Sequence, residues 1–342
     1  MSRIFAVAAL AAAFPLAHAR LLGINPNDSA RGLCEYSALT GVASLLGDAL
    51  PKTLLPVEGV STVDRERGVM YFADSSTSSI VGLNATTGAV LSTTRLPPSI
   101  VDADLYDGLV ISWAADLGAV GLLAVLGHTA DDTHVVGTLD VLGGTAAWSD
   151  VASFPSSWAD DVTATGAYMP LLRVFIFDVK GPGGIIVHFS VNMTSGASFS
   201  VVDPEMGSQS VMWNRAASPQ QPHGPLYGIG ALKSGVPTIP WNRTVDALDP
   251  ATLNVSVVAQ VPLPWGIEAT ANVAIGPSFT ADGPTGGESI FWMATPARDV
   301  PGNFYLLQTS LADGSVVTVS AEPLCTPQGF PPTCPYALHW MP

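Results

Sequence analysis

The 342-residue chain is short of charge: 12% of its residues are charged, with 13 Lys and Arg against 28 Asp and Glu. A net charge of −15 excludes binding along a nucleic-acid backbone, which requires clustered basic side chains to displace counterions. The acidity permits cation binding and equally serves solubility. Cysteine is scarcer still, at three residues, too few for a disulfide scaffold. The sequence also lacks a Gly-x-Ser-x-Gly elbow, a Walker loop, a Rossmann glycine fingerprint and a His-Glu-x-x-His motif, so no common catalytic signature stands in it. Long apolar runs are missing too. Ile4–Leu16 falls short of the about 20 residues a bilayer span needs, and Asp116 interrupts the run 108–128, which reads as two buried strands around a turn.

What is present begins with a leader. Arg3, the apolar run Ile4–Leu16 and Ala17-His18-Ala19 have the anatomy of a signal peptide over residues 1–19, cleaved before Arg20. Nine asparagines include five in Asn-x-Ser/Thr acceptors: Asn27, Asn84, Asn192, Asn242 and Asn254. Chance would give roughly one or two, so N-glycosylation and a secreted, extracellular destination are expected. The three cysteines allow a Cys325–Cys334 bridge across a turn-rich segment. Cys34 bonded to either of them is the rival, and one thiol is left over, expected to be buried and inert.

Glycine (33) and proline (28) are abundant, as suits many short strands joined by turns. A strand, a polar turn and a second strand recur along the chain, at 33–46, 80–93, 119–139, 185–202, 244–261 and 305–320. Two further β-rich stretches precede the later hairpins; in the second unit these are 59–64 and 69–73. The first unit has a single strand, Leu21–Asn25, ahead of its hairpin, and the last is followed by a lone extended segment, Pro335–Met341. Placing that segment as the missing strand predicts an all-β, six-bladed β-propeller closed by the C-terminal strand joining the first blade. Closure leaves no sheet face uncovered. The blades fall at 20–51 plus 335–341, 56–97, 99–141, 147–203, 207–263 and 266–322, in one domain.

The second unit carries a resemblance. Glu58-Gly59, Asp64, Met70-Tyr71-Phe72-Ala73-Asp74, Ile80 and Asn84-Ala-Thr-Thr-Gly88 resemble a blade of the regucalcin/gluconolactonase-like hydrolases, and are similar also to blades of YWTD, NHL, YVTN and TolB-like propellers. In the lactonase-like group a glutamate at the Glu-Gly position ligates calcium at the channel mouth, so the resemblance implies Glu58 as a metal ligand. That family's Asn-Asp-Gly and Asn-Gly ligand motifs are not found here.

Alignment of the innermost strands independently puts Glu58, Asp102, Asp160, Gln209 and Glu268 at equivalent positions around one channel mouth. Converging carboxylates without basic partners repel unless they are hydrated, protonated or coordinate a hard cation. Either a water-filled acidic funnel or a Ca2+ site is expected there. A second metal candidate is His128 and His134, which flank a hairpin loop containing Asp131 and Asp132 and so could hold Zn2+ with a carboxylate. His188 sits in an apolar strand and reads as a packed, hydrogen-bonded residue. These features support a secreted binding or scaffolding propeller for an extracellular protein, glycan or small ligand, with the longer connections 141–158, 216–241 and 276–288 as recognition surface. The alternative is a calcium-dependent lactonase or esterase with Glu58, Asp102, Asp160 and Glu268 around the metal. No nucleic-acid partner, and no membrane span after leader removal, is expected.

Overall fold

The computed structural model describes residues 20–25, 31–100, 109–114, 122–129, 133–142, 147–155, 166–181, 185–202, 213–218, 224–236, 239–261, 265–280, 283–296, 304–320 and 338–341. Among them every regular element is a strand, and the strands form six antiparallel four-stranded sheets. Blade one takes β24 (Leu338–Met341), β1 (Arg20–Asn25), β2 (Gly32–Tyr36) and β3 (Ala43–Leu45), in that order. Blade two is β4 (Pro56–Asp64), β5 (Val69–Asp74), β6 (Ser79–Asn84) and β7 (Val90–Arg95). Blade three is β8 (Val110–Trp113), β9 (Leu122–His128), β10 (Thr133–Asp140) and β11 (Trp148–Pro155). Blade four is β12 (Gly166–Met169), β13 (Val174–Gly181), β14 (Ile185–Asn192) and β15 (Ser198–Val202). Blade five is β16 (Trp213–Ala217), β17 (Leu226–Val236), β18 (Ile239–Leu248) and β19 (Val255–Gln260). Blade six is β20 (Trp265–Thr280), β21 (Gly283–Pro296), β22 (Tyr305–Ser310) and β23 (Val316–Thr318).

The first strand of each sheet touches the first strand of the next: β4 meets β8, then β12, β16, β20 and β24 follow in turn, and β24 returns to β4. The protein is therefore a closed six-bladed propeller with these strands around its axis. Closure is made as the sequence predicts: β24 pairs with β1 through Leu21↔Trp340, Leu22↔His339 and Gly23↔Leu338. One boundary differs. β11 pairs with β10 and completes blade three, whereas the sequence reading places residues from 147 onward in blade four. The polar loop around Asp131 and Asp132 imitates the outer-hairpin turn of the other units, but it joins the second and third strands of its sheet.

Six apolar clusters fill the six gaps between blades. The middle strands are buried on both faces, so their sequences are continuous apolar runs whose alternate residues serve opposite neighbours. In β5, Tyr71 and Ala73 pack with Ile111 and Val125 of blade three, while Met70 and Phe72 pack with Leu22 and Leu33 of blade one. The closing strand divides the same way. Leu338 and Trp340 face blade six, and Met341 joins the cluster between blades one and two. Trp340 stacks on Phe291 with ring centroids 5.2 Å apart. It fits because Gly276 stands beside it; a Cβ there would lie 2.3 Å from the indole Cδ2.

The turns between third and fourth strands repeat one device. Ser37, Asn84, Asn192, Asp249 and Ser310 each use a side-chain oxygen to accept the amide two residues on, as short polar side chains do in Asx and Ser turns. Four residues after each, a left-handed residue returns its N–H to the capping residue's carbonyl: Gly41, Gly88, Gly196, Leu253 and Gly314. Gly88 also presses on the preceding blade, and a Cβ would fall 2.0 Å from the Leu46 carbonyl oxygen. Gly68, with φ +66°, has open space at the same point. Gly88→Ala is therefore expected to cost about 3 kcal/mol or more, from strain plus backbone overlap, and Gly68→Ala about 1 kcal/mol, from φ alone. Urea denaturation midpoints check the order; equal losses would contradict the stapling role of the Gly88 turn.

Candidate functional site

Because adjacent strands are antiparallel, turns joining first to second and third to fourth strands lie on one face, here the lower. Connections joining second to third strands, and one blade to the next, lie on the upper face. Two positions of the predicted acidic ring are described, and both lie toward the upper ends of their strands. Glu58 is the third residue of β4 and Glu268 the fourth of β20, both on innermost strands. Each lies in a stretch where the ladder slips, between Pro56 and Ser61 in β4 and between Trp265 and Ala269 in β20. Gly59, at φ +74°, makes the bend directly after Glu58. Bulges of this kind re-aim side chains at barrel rims. Asp102, Asp160 and Gln209 lie outside the described residues, as do Cys325, Cys334, Asn27 and the leader. Among the described residues there is no group of three or more His, Cys, Asp or Glu placed to hold a metal ion.

The second metal candidate is half visible. β9 and β10 put His128 and His134 directly opposite each other, and His134 is buried; Asp131 and Asp132 lie outside the described residues. Cys34 is buried on β2, and that burial pushes its thiol up to about 11, so it stays protonated. The connections chosen from sequence as recognition loops contain strands: β11 takes 148–155 of the first, β17 and the start of β18 much of the second, and the arms of β20 and β21 most of the third.

The lower mouth holds a cluster that sequence reasoning missed. His339 on β24 and Ser61 on β4 share a hydrogen bond, Nε2 to Oγ 2.8 Å, joining the first and second blades. Arg65 sits on the β4–β5 turn, open to water yet ringed by protein, as in the lumen of a channel; this desolvation lowers its pKa and the Glu288 carboxylate opposes the drop. Glu288 is buried on β21 and accepts a hydrogen bond from the Ser218 hydroxyl of blade five. Burial, then the Glu288 charge, raises the nearby Tyr227 phenol. Blades two and six flank blade one, so Arg65 and Glu288 stand on either side of the blade that the closing strand completes.

This cluster can hold blades together more readily than it can catalyse. Burial first and the Arg65 charge second push the His339 imidazole down to about 3. A histidine that resists protonation so strongly is a poor general base for Ser61 near neutral pH, where a useful base titrates close to 7. Ser61 and His339 form a clasp beside the closing strand.

A second polar group lies inside the gap between blades four and five. Asp178 and His188 are cross-strand partners with Oδ1 and Nδ1 2.6 Å apart, both about 1% exposed. His188 is thus packed and hydrogen-bonded, as the sequence predicts. Phe177 and Phe189 beside them face blade three, so alternation turns Asp178 and His188 toward blade five. Thr244 and Asp246 of β18 face back, because Val245 and Ala247 belong to the cluster with blade six. Gly230 makes room for Asp246: a Cβ would lie 1.7 Å from its Oδ2.

No protein-family model matches the chain, and no curated protein matches it. Solved structures do. A chain from a nidogen/laminin complex superposes with TM-score 0.58 at 12% identity, covering 95% of this chain and 99% of that one. TolB from Acinetobacter baumannii superposes with TM-score 0.50 at 13% identity, covering 95% of this chain and 66% of that one. Likeness at such identity establishes the propeller fold and nothing finer.

The His339 environment predicts acid sensitivity of defined sign. The unfolded imidazole takes a proton near 6.5 and the folded one only near 3. Below pH 6.5 the unfolded state therefore binds more protons, and stability falls with pH, by at most about 1.4 kcal/mol per unit from this group. His339→Gln, which keeps a partner for Ser61, removes that component. Its urea midpoint is expected to approach or pass the wild-type value between pH 7 and 5, whereas parallel curves would show that His339 is not held neutral.

Proposed function

We propose that this protein is a secreted binding propeller that captures an extracellular partner, a protein, a glycan or a small ligand, on its upper face. The observation that carries this reading is where chain length varies. Five third-to-fourth-strand turns on the lower face are built alike, whereas the inter-blade connections above run from 261–264 at the shortest to 319–337 at the longest. A rigid ring presenting unequal loops at one end is how scaffolds carry recognition. The nidogen/laminin neighbour, aligned over nearly its whole length, supports a propeller of this extent as a sufficient protein-binding unit. The leader and the acceptor asparagines support the compartment.

The bulged strands at Glu58 and Glu268 favour one second reading, a calcium-dependent lactonase or esterase. Glu58 and Glu268, with Asp102 and Asp160, would hold Ca2+ at the upper mouth, where the ion would polarise a carbonyl.

The two readings part in one experiment. Tagged protein is screened against arrayed secreted ectodomains and glycans, and in parallel against lactones and aryl esters, each with and without chelator. The binding reading expects saturable capture that Ser75→Asn reduces at least tenfold, because this change on the upper β5–β6 turn completes a glycan acceptor with Ser76 and Thr77. Turnover that chelator and Glu58→Gln both abolish, with no capture, would replace it with the enzyme.

A further inference from the structure

Three of the five acceptor asparagines share a face. Asn84 ends β6 and Asn192 ends β14, at the same position in blades two and four, where each caps the turn to the outermost strand. Asn254 follows the left-handed Leu253 at the end of the corresponding turn in blade five. All three lie on the lower face near its rim, because third-to-fourth-strand turns lie there and the fourth strand is outermost. Asn242, by contrast, stands on β18 opposite Leu232, toward the upper end.

The chemistry of the caps decides whether a sugar can be carried. Asn84 Oδ1 accepts the amides of Thr86 and Thr87 at 2.8 and 2.9 Å. Asn192 Oδ1 accepts those of Thr194 and Ser195 at 3.0 and 2.9 Å. Only the oxygen faces the turn. The planar carboxamide holds Nδ2 about 120° away about the same carbon, apart from the amides that Oδ1 accepts. A glycosidic bond to Nδ2 removes one N–H and leaves the Oδ1 acceptor intact, so the capped turn and the modified asparagine are the same geometry. Asn84 and Asn192 are partly exposed, and Asn254 is exposed, as are Thr86, Thr194 and Ser256 at the third acceptor positions.

We infer that Asn84, Asn192 and Asn254 carry N-linked glycans, and that the lower rim of the propeller is a sugar-covered face over blades two, four and five. The inference rests on the secretory reading above and deepens it by naming the face that three of the five acceptors cover.

The test is secretion from a eukaryotic host, sequencing of the mature N-terminus, and enzymatic release of N-glycans in 18O water, which converts each modified asparagine to labelled aspartate. Label at all three positions is expected, and Thr86→Ala, Thr194→Ala and Ser256→Ala should each lower the intact mass by one glycan. Asn84→Asp keeps the Oδ1 acceptor and loses one sugar, so after enzymatic removal of the other glycans it should melt with deglycosylated wild type, whereas Asn84→Ala treated alike should melt several degrees lower. A secreted, processed protein with any of the three unlabelled overturns the inference while leaving the compartment standing. A chain retained in the cell with its leader intact overturns both.

Discussion

The ring depends on four residues at the end of the chain pairing with strand β1 at its start. Each blade is a sheet with two apolar faces, and a face is stable only when another sheet covers it. Five of the gaps can be filled by neighbours in sequence. The sixth cannot, because blade one lacks its innermost strand until β24 arrives: Trp340 then comes against Phe291 and Phe279 of blade six, and Met341 enters the cluster shared with blade two. Contacts between the two chain ends carry a large loop-closure entropy, so they form only once the intervening blades have shortened the distance. The Ser61–His339 bond joins the closing strand to blade two, and the Arg65–Glu288 attraction acts between the two blades that flank it.

Closure also divides the molecule into two unlike ends. Below, five third-to-fourth-strand turns repeat a cap and a left-handed residue, and Gly88 and Gly196 lie against backbone carbonyls of the blade before them. Above, the connections span from the outer edge of one sheet to the inner edge of the next, and their lengths differ widely. Selection for a partner can act on the second set without cost to the first. Acceptor asparagines placed as caps on the lower rim are consistent with that division, since the same side chain serves the turn and the sugar.

Much of this was legible in the sequence. The Leu33–Leu46, Ile80–Thr93 and Tyr305–Ser320 hairpins announced the repeat, and the lone strands at the two ends announced closure. Blade three was misframed because the Asp131-Asp132 loop has the polarity of an outer turn, and polarity does not say which two strands a turn joins. The site was less legible for two physical reasons. Counting along an inner strand fails where it bulges, as at Gly59 and between Trp265 and Ala269, so equivalent sequence positions need not be equivalent heights. The lower cluster draws Ser61 and Arg65 from blade two, Ser218 from blade five, Glu288 from blade six and His339 from blade one. No spacing rule links residues that only the closed ring brings together.

The closing strand is open to a direct test. In a chain lacking residues 338–342, the account predicts loss of the cooperative urea transition and strong binding of a hydrophobic dye, both reversed by adding a synthetic peptide of residues 335–342. Cooperative unfolding of the shortened chain at the full-length midpoint, with no response to the peptide, would contradict a propeller held shut by its C-terminal strand.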